Sequence, residues 1–295
     1  MSRKIKEIII RNIFFLTAMG SVFVLGLIMV FLFREAIPIF KTVSVFKFLF
    51  GPEWYPTYNP PEFGIWPLVV GSLIVTLFST LIAVPIGVLS AIYMSELALP
   101  WIKEIFKPVI ELLAGIPSVV LGFFGMVVIA PWMQDKFDIP TGLNIVNASI
   151  MLALMAVPTI TSISEDALYS VPREFKEASY ALGATRFETI TRVIVPSAIS
   201  GISTAVILGM ARAIGETMVV LMVAGGAAAI PESIFDSVRP MPASIAAEMG
   251  EAPFRSLHYH ALFAIGVVLF MLTLAFNLVA DYFSHKFRQV GSGTL

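Results

Sequence analysis

Cysteine is absent from this chain, charged residues are sparse, and histidine occurs only three times. Without cysteine there is no disulfide framework, no thiolate metal site and no thiol nucleophile. Charged residues make up 13% of the sequence, against about 25% in a soluble domain, while 58% of residues are hydrophobic. Most of the chain must therefore meet lipid. No Gly-Lys pair occurs, so the G-x-x-x-x-G-K-[ST] loop that cradles ATP phosphates is missing, and energy for any active process has to come from a partner. The formal net charge of −1 argues against a nucleic-acid surface, which concentrates Lys and Arg on one face.

What is there is a series of long apolar runs. Crossing roughly 30 Å of hydrocarbon takes about 20 mostly apolar residues, and six windows qualify: Ile13 to Phe33, Trp66 to Met94, Val109 to Ala130, Ile145 to Ser162, Ile199 to Ala227 and Tyr259 to Tyr282. Helices are expected throughout, because an open sheet edge in lipid leaves backbone groups unpaired. Pro85, Pro117 and Pro158 interrupt three of the windows and predict kinks. The first window follows Arg3, Lys4, Lys6 and Arg11 but is longer than a signal h-region and ends without a small-residue cleavage site. It is expected to be an uncleaved span.

With six spans, Arg3, Lys4, Lys6, Arg11, Lys103, Lys107, Arg173, Lys176, Arg186, Arg192, Lys286 and Arg288 fall on one side. The other side holds Arg34, Lys41, Lys47, Lys136, Arg239 and Arg255. The positive-inside rule then puts both termini and the loop 164–195 in the cytoplasm. The outer segment Arg34 to Ile65, rich in Pro, Trp and Tyr, suits an interfacial loop rather than a domain. Residues 1–65 form one unit, 66–284 the transmembrane core and 285–295 a tail containing a short Gly-Ser-Gly stretch.

The loop 164–195 reads as two helices joined by a glycine turn. Good helix formers run from Pro172 to Leu182, Gly183 supplies a stop, and Thr185 is placed to cap a helix beginning near Arg186. Apolar Phe175, Ala178, Tyr180, Ala181 and Leu182 sit among Arg173, Glu174, Lys176 and Glu177. Such a mixture suits a protein partner, and it equally describes a solvated linker between two spans.

A second constellation is Arg212 with Glu216, inside ILGMARAIGETMVVLMVAGG. Arg near a helix centre costs about 2.5–3.5 kcal/mol on insertion scales, so both charges need pairing or water. At i,i+4 spacing they would share one helix face. Two readings stay open, a buried ion pair that fixes packing and a cation lining the route of an anion. Guanidinium donors match tetrahedral oxyanions, and Gly209 and Gly215 nearby would admit a helix or ligand closely.

Glu177-Ala178-Ser179, Gly183 and Val193-Ile194-Val195-Pro196 resemble the EAA signature of ATP-binding-cassette importer permeases, which runs EAA, three residues, Gly, nine residues, Ile-x-Leu-Pro. The spacing matches, and Ser179 replaces the third-position Ala. The segments Leu112–Gly125, Ser162–Ile190, Ala211–Gly226 and Glu248–Gly266 are similar to phosphate-specific permeases of the PstC type. The resemblance implies an all-α, polytopic fold of about six spans with type I importer (MetI-like) architecture, the later five spans forming the core and the first packed outside it. It implies that Glu177, Ala178 and Gly183 dock into a separate ATPase, and that Arg212 and Glu216 belong to the translocation pathway of inorganic phosphate. Implied partners are a PstA-type permease, a PstB-type ATPase dimer that uses ATP, and a periplasmic or lipid-anchored binding protein of PstS type. No cofactor or metal is expected on this chain.

Other oxyanions, sulfate or molybdate, are the nearest alternative substrates. An intramembrane enzyme is disfavoured by the lack of H-E-x-x-H or an acid-histidine cluster at membrane depth, and a passive anion channel would conduct without ATP. His258 and His260 flank Tyr259 at a membrane boundary, too few ligands for zinc, and Asn147-Ala148-Ser149 is a chance match to a glycosylation acceptor beside a span.

Overall fold

A computed structural model describes residues 3–287; Arg288 and the Gly-Ser-Gly stretch lie outside the described residues. The fold is helical, with one two-stranded antiparallel ribbon in a loop. The first span, α1 (Arg3–Ala36), leads through a 3-10 turn and α2 (Val45–Phe50) to β1 (Trp54–Tyr55) and β2 (Glu62–Phe63). The segment between Arg34 and Ile65 is more than an interfacial loop. Ile39, Phe48, Trp54, Phe63 and Ile65 are buried in one apolar cluster with Met241, Leu262 and Ile265, so its aromatics cap the bundle end.

The bundle core is α3 (Trp66–Ile92) against α7 (Ile145–Tyr169), with α11 (Ile199–Ile214) lying across both. Between α3 and α7 in sequence come α4 (Pro100–Gly115), α5 (Ser118–Phe124) and α6 (Ala130–Phe137), the last two joined by a π-turn into one 20-residue span. After α7 follow α8 (Arg173–Ala181), α9 (Arg186–Thr189) and α10 (Val195–Ser197); after α11 come α12 (Met218–Val223), α13 (Met241–Glu248) and α14 (Leu257–Phe287). Helices α3, α7 and α11 meet at Ile160. A Cβ on Gly87 of α3 would stand 2.8 Å from this side chain and one on Gly209 of α11 would stand 2.7 Å from it, so hydrogen at both positions lets the three helices close on one residue. Helix α1 packs chiefly on α14, and none of its apolar window is buried within the chain.

Among the described residues five helices are long and apolar enough to span a membrane, six if a pair bent by 68° is one span. Two expected windows prove to be broken. The window Val109 to Ala130 is not one helix: α4 ends at Gly115, Ile116 and Pro117 are extended, and the span begins at Ser118. Steric pressure from the Pro117 ring on Ile116 accounts for the break. Pro85 and Pro158, by contrast, sit inside α3 and α7. The window Ile199 to Ala227 breaks between Ile214 and Met218. Helix α7 also runs on to Tyr169, so the loop expected from residue 164 begins at Ser170.

Contacts sort the loops to two ends. At one end, Lys107 lies 3.7 Å from Glu165 and Lys176 lies 2.7 Å from Glu96. At the other, Trp54 meets Glu248, the Ser237 hydroxyl donates to the Leu143 carbonyl at 2.8 Å, and His260 Nδ1 donates to the Glu35 carbonyl at 2.7 Å. These pairings keep the Lys and Arg residues of the inter-span loops in the two groups read from the sequence.

Candidate coupling hairpin and membrane-embedded charges

The hairpin after α7 is built by local rules. Helix α8 ends in a Schellman arrangement: the Gly183 N–H donates to the Tyr180 carbonyl at 2.9 Å and the Ala184 N–H to the Ser179 carbonyl at 3.2 Å. Gly183 takes φ +84°, where an L side chain is strained, and a Cβ there would meet nothing within 4 Å. Backbone conformation, not space, demands glycine. Thr185 and Glu188 then form a capping box at the start of α9. Hydrogen bonds from the Thr185 backbone and hydroxyl, with Arg192 nearby, hold the Glu188 carboxyl below its ordinary value. The group lies on the hairpin, outside the spans.

Across the turn the Ser179 and Thr189 hydroxyls hydrogen-bond at 2.9 Å, both residues buried. This contact gives a reason for Ser where the EAA pattern has Ala. The root is apolar: Leu168, Val171, Ile190, Ile194, Ala198 and Ile202 cluster on Ala91 of α3. The tip is apolar too but open, with Phe175, Tyr180, Leu182 and Phe187 exposed, Leu182 at 90%. Glu177 and Ala178 lie exposed on the same hairpin, so the structure brings the three expected residues Glu177, Ala178 and Gly183 to one projecting surface.

Arg212 and Glu216 do not share a helix face. Helix α11 stops at Ile214, and Glu216 sits in the break, where its carboxylate accepts the N–H of Met218, the first residue of α12, at 3.2 Å. The i,i+4 expectation fails because Gly215 ends the helix before the second charge is reached. The two side chains still line one narrow cleft of about 160 Å³, too thin for a water molecule, with Leu152, Met155, Ala156 and Ala213. Among the described residues Arg212 forms no ion pair, and it is exposed on the surface of the single chain. Inside a membrane, a guanidinium without a carboxylate would need water, a ligand or another subunit.

A second polar centre, with no local signature in the sequence, lies at the opposite end from the hairpin. Glu248 accepts from Trp54 Nε1 at 3.0 Å and from Arg239 Nη1 at 2.6 Å, and its other oxygen lies 2.7 Å from His258 Nε2. His258 and His260 face different partners, Glu248 and Glu35, and no group of metal-binding side chains occurs among the described residues. Trp54 and Glu248 are 194 positions apart, a separation that no local pattern bridges. Asn147 of the glycosylation-like triplet is buried, its amide donating to the Gly125 and Gly142 carbonyls at 2.9 Å.

Residues 83–289 match the model of the binding-protein-dependent transport system inner membrane component. The chain belongs to this family. It is 44% identical over 244 residues to the probable ABC transporter permease protein YqgH of Bacillus subtilis, covering 83% of this chain and 79% of that one. It is 34% identical to the phosphate transport system permease protein PstC of Mesorhizobium japonicum (80% and 77% covered) and 31% identical to that of Haemophilus influenzae, with 92% of each chain covered. In fold it is similar to the crystal structure of a bacterial ABC transporter involved in the import of alginate, at TM-score 0.62 and 15% identity over 97% of this chain and 99% of that one. The inward-facing MetNI methionine transporter matches at TM-score 0.56 and 21% identity, over 76% and 94%. This binding-protein-dependent permease is therefore a multi-pass membrane subunit of an ABC importer with the MetI-like fold.

Proposed function

We propose that this chain is one permease half of an ATP-driven phosphate importer, paired with a PstA-type permease, loaded by a PstS-type binding protein and driven by a PstB-type ATPase dimer. The observation that carries the reading is the projecting hairpin. Its open apolar tip, the exposed Glu177 and the left-handed Gly183 form a projecting knob that suits docking into a groove on a soluble partner. Helix and turn hold the knob by short-range bonds, and its root is packed on α3 and α7, so force on the tip reaches the spans.

The substrate assignment rests on the PstC relatives and on Arg212. This cation stands on an exposed face among apolar spans, where a second permease would enclose it. A guanidinium in a desolvated passage offers donors that replace part of the hydration of a tetrahedral anion. Both termini and the hairpin are cytoplasmic in this reading, as the distribution of Lys and Arg indicates. ATP-driven closure of the ATPases draws the hairpins together and switches the side to which the pathway opens. Replacing Glu177 with Lys or Gly183 with Pro abolishes phosphate uptake in cells that depend on this transporter while the chain remains in the membrane. Unchanged uptake in both variants contradicts the coupling role.

A further inference from the structure

We propose that Glu96 is a positioning residue that fastens both arms of the hairpin to the end of α3, making α3 the helix that carries the hairpin's displacement into the membrane. The inference rests on the coupling role proposed above and adds the residue through which it acts. Glu96 lies in a π-turn, Tyr93–Leu97, that extends α3 by one widened turn. Its Oε1 accepts from Lys176 Nζ of α8 at 2.7 Å, and its backbone carbonyl accepts from Arg186 Nη2 of α9. One residue thus holds the arm before Gly183 and the arm after it. The Ser95 hydroxyl donates to the same carboxylate oxygen at 3.0 Å, and Lys103 Nζ of α4 donates to the Ser95 carbonyl at 3.1 Å.

Physical chemistry favours this fastening over a chance surface contact. The Glu96 side chain is only 10% exposed and Lys176 24%, so the pair is shielded from the screening that weakens open ion pairs. The last carbonyls of a helix lack intrahelical partners and carry the negative end of its dipole, which Arg186 satisfies with a cation. Ala91 of the same helix packs in the apolar cluster at the hairpin root, so polar and apolar contacts bind the hairpin to one element. From there α3 reaches the Ile160 joint, where Gly87 and Gly209 close on the same side chain, and α11 carries Arg212. A push on the hairpin has a contiguous, close-packed route to the membrane-embedded cation.

The test uses the complete transporter in proteoliposomes, with ATP hydrolysis and phosphate uptake measured on the same vesicles. Glu96→Ala is expected to keep ATP hydrolysis within about twofold while phosphate taken up per ATP falls about tenfold, the scale of one charge-assisted hydrogen bond. Lys176→Met, which removes the donor and keeps the side-chain length, carries the same test if the alanine variant does not assemble. Glu96→Lys and Lys176→Glu each uncouple, and the double exchange restores uptake per ATP at least partly; a merely structural role for Glu96 would lower assembly and ATP hydrolysis together with uptake and leave uptake per ATP unchanged. Unchanged uptake per ATP in Glu96→Ala or Lys176→Met, or no recovery in the double exchange, overturns the proposal. Gly183→Pro on the same vesicles separates the two ideas: full uptake there refutes the coupling hairpin itself, whereas a defect there with normal Glu96 variants refutes only the fastening.

Discussion

Ser179 and Thr189 show how one atom changes the physics of a motif. Their hydroxyls satisfy each other at 2.9 Å in a buried site, so removing one strands the other at a cost of about 1–3 kcal/mol. Ser179→Ala, which restores the commoner motif residue, is therefore expected to lower the thermal midpoint of the purified transporter. Adding Thr189→Val recovers most of the loss, because two apolar groups leave nothing unsatisfied. A double variant no better than Ser179→Ala alone contradicts the pairing. At this scale the sequence was informative where the chemistry is local. The glycine stop at Gly183 and the Thr185 cap are visible in the residues and stand where they were expected. The contacts of Glu96 with Lys176 and of Glu248 with Trp54 were not visible, since these partners lie 80 and 194 positions away.

Elements are where hydropathy misleads. A sliding apolar window measures composition and is blind to a backbone that stops and restarts inside it. Ile116-Pro117 ends one helix and begins another within a continuous apolar run, and Gly215 separates Arg212 from Glu216 within a second. Both breaks had local signals, proline and glycine, which the length of the apolar runs outweighed. The three-helix joint at Ile160 follows from small residues on facing helices and yields its own prediction. A Cβ on Gly209 would come within 2.7 Å of Ile160, and overpacking of this kind costs about 1–3 kcal/mol. Gly209→Ala is expected to reduce phosphate uptake severalfold, and combining it with Ile160→Ala to lose less than the sum of the two single changes, measured as initial rates at equal membrane abundance. Strict additivity would show that the two residues do not press on each other.

On the scale of the whole molecule, the chain looks like half of a machine. Its first span is attached at the periphery, its loops divide into a capped end and a hairpin end, and among the described residues two features face outward. One is the apolar knob and the other is Arg212. In the proposed assembly a second permease encloses the cation and an ATPase receives the knob, so the side of the membrane on which the knob projects decides whether that assembly can form. The absence of native cysteine makes Leu182→Cys a sole thiol at the most exposed apolar point of the hairpin. The direct measurement is labelling of this thiol with a membrane-impermeant maleimide in intact cells and in inverted vesicles, with and without the ATPase bound. A coupling hairpin predicts labelling only in inverted vesicles, and protection there when the ATPase is present. Labelling from outside intact cells, or equal labelling with and without the ATPase, contradicts it.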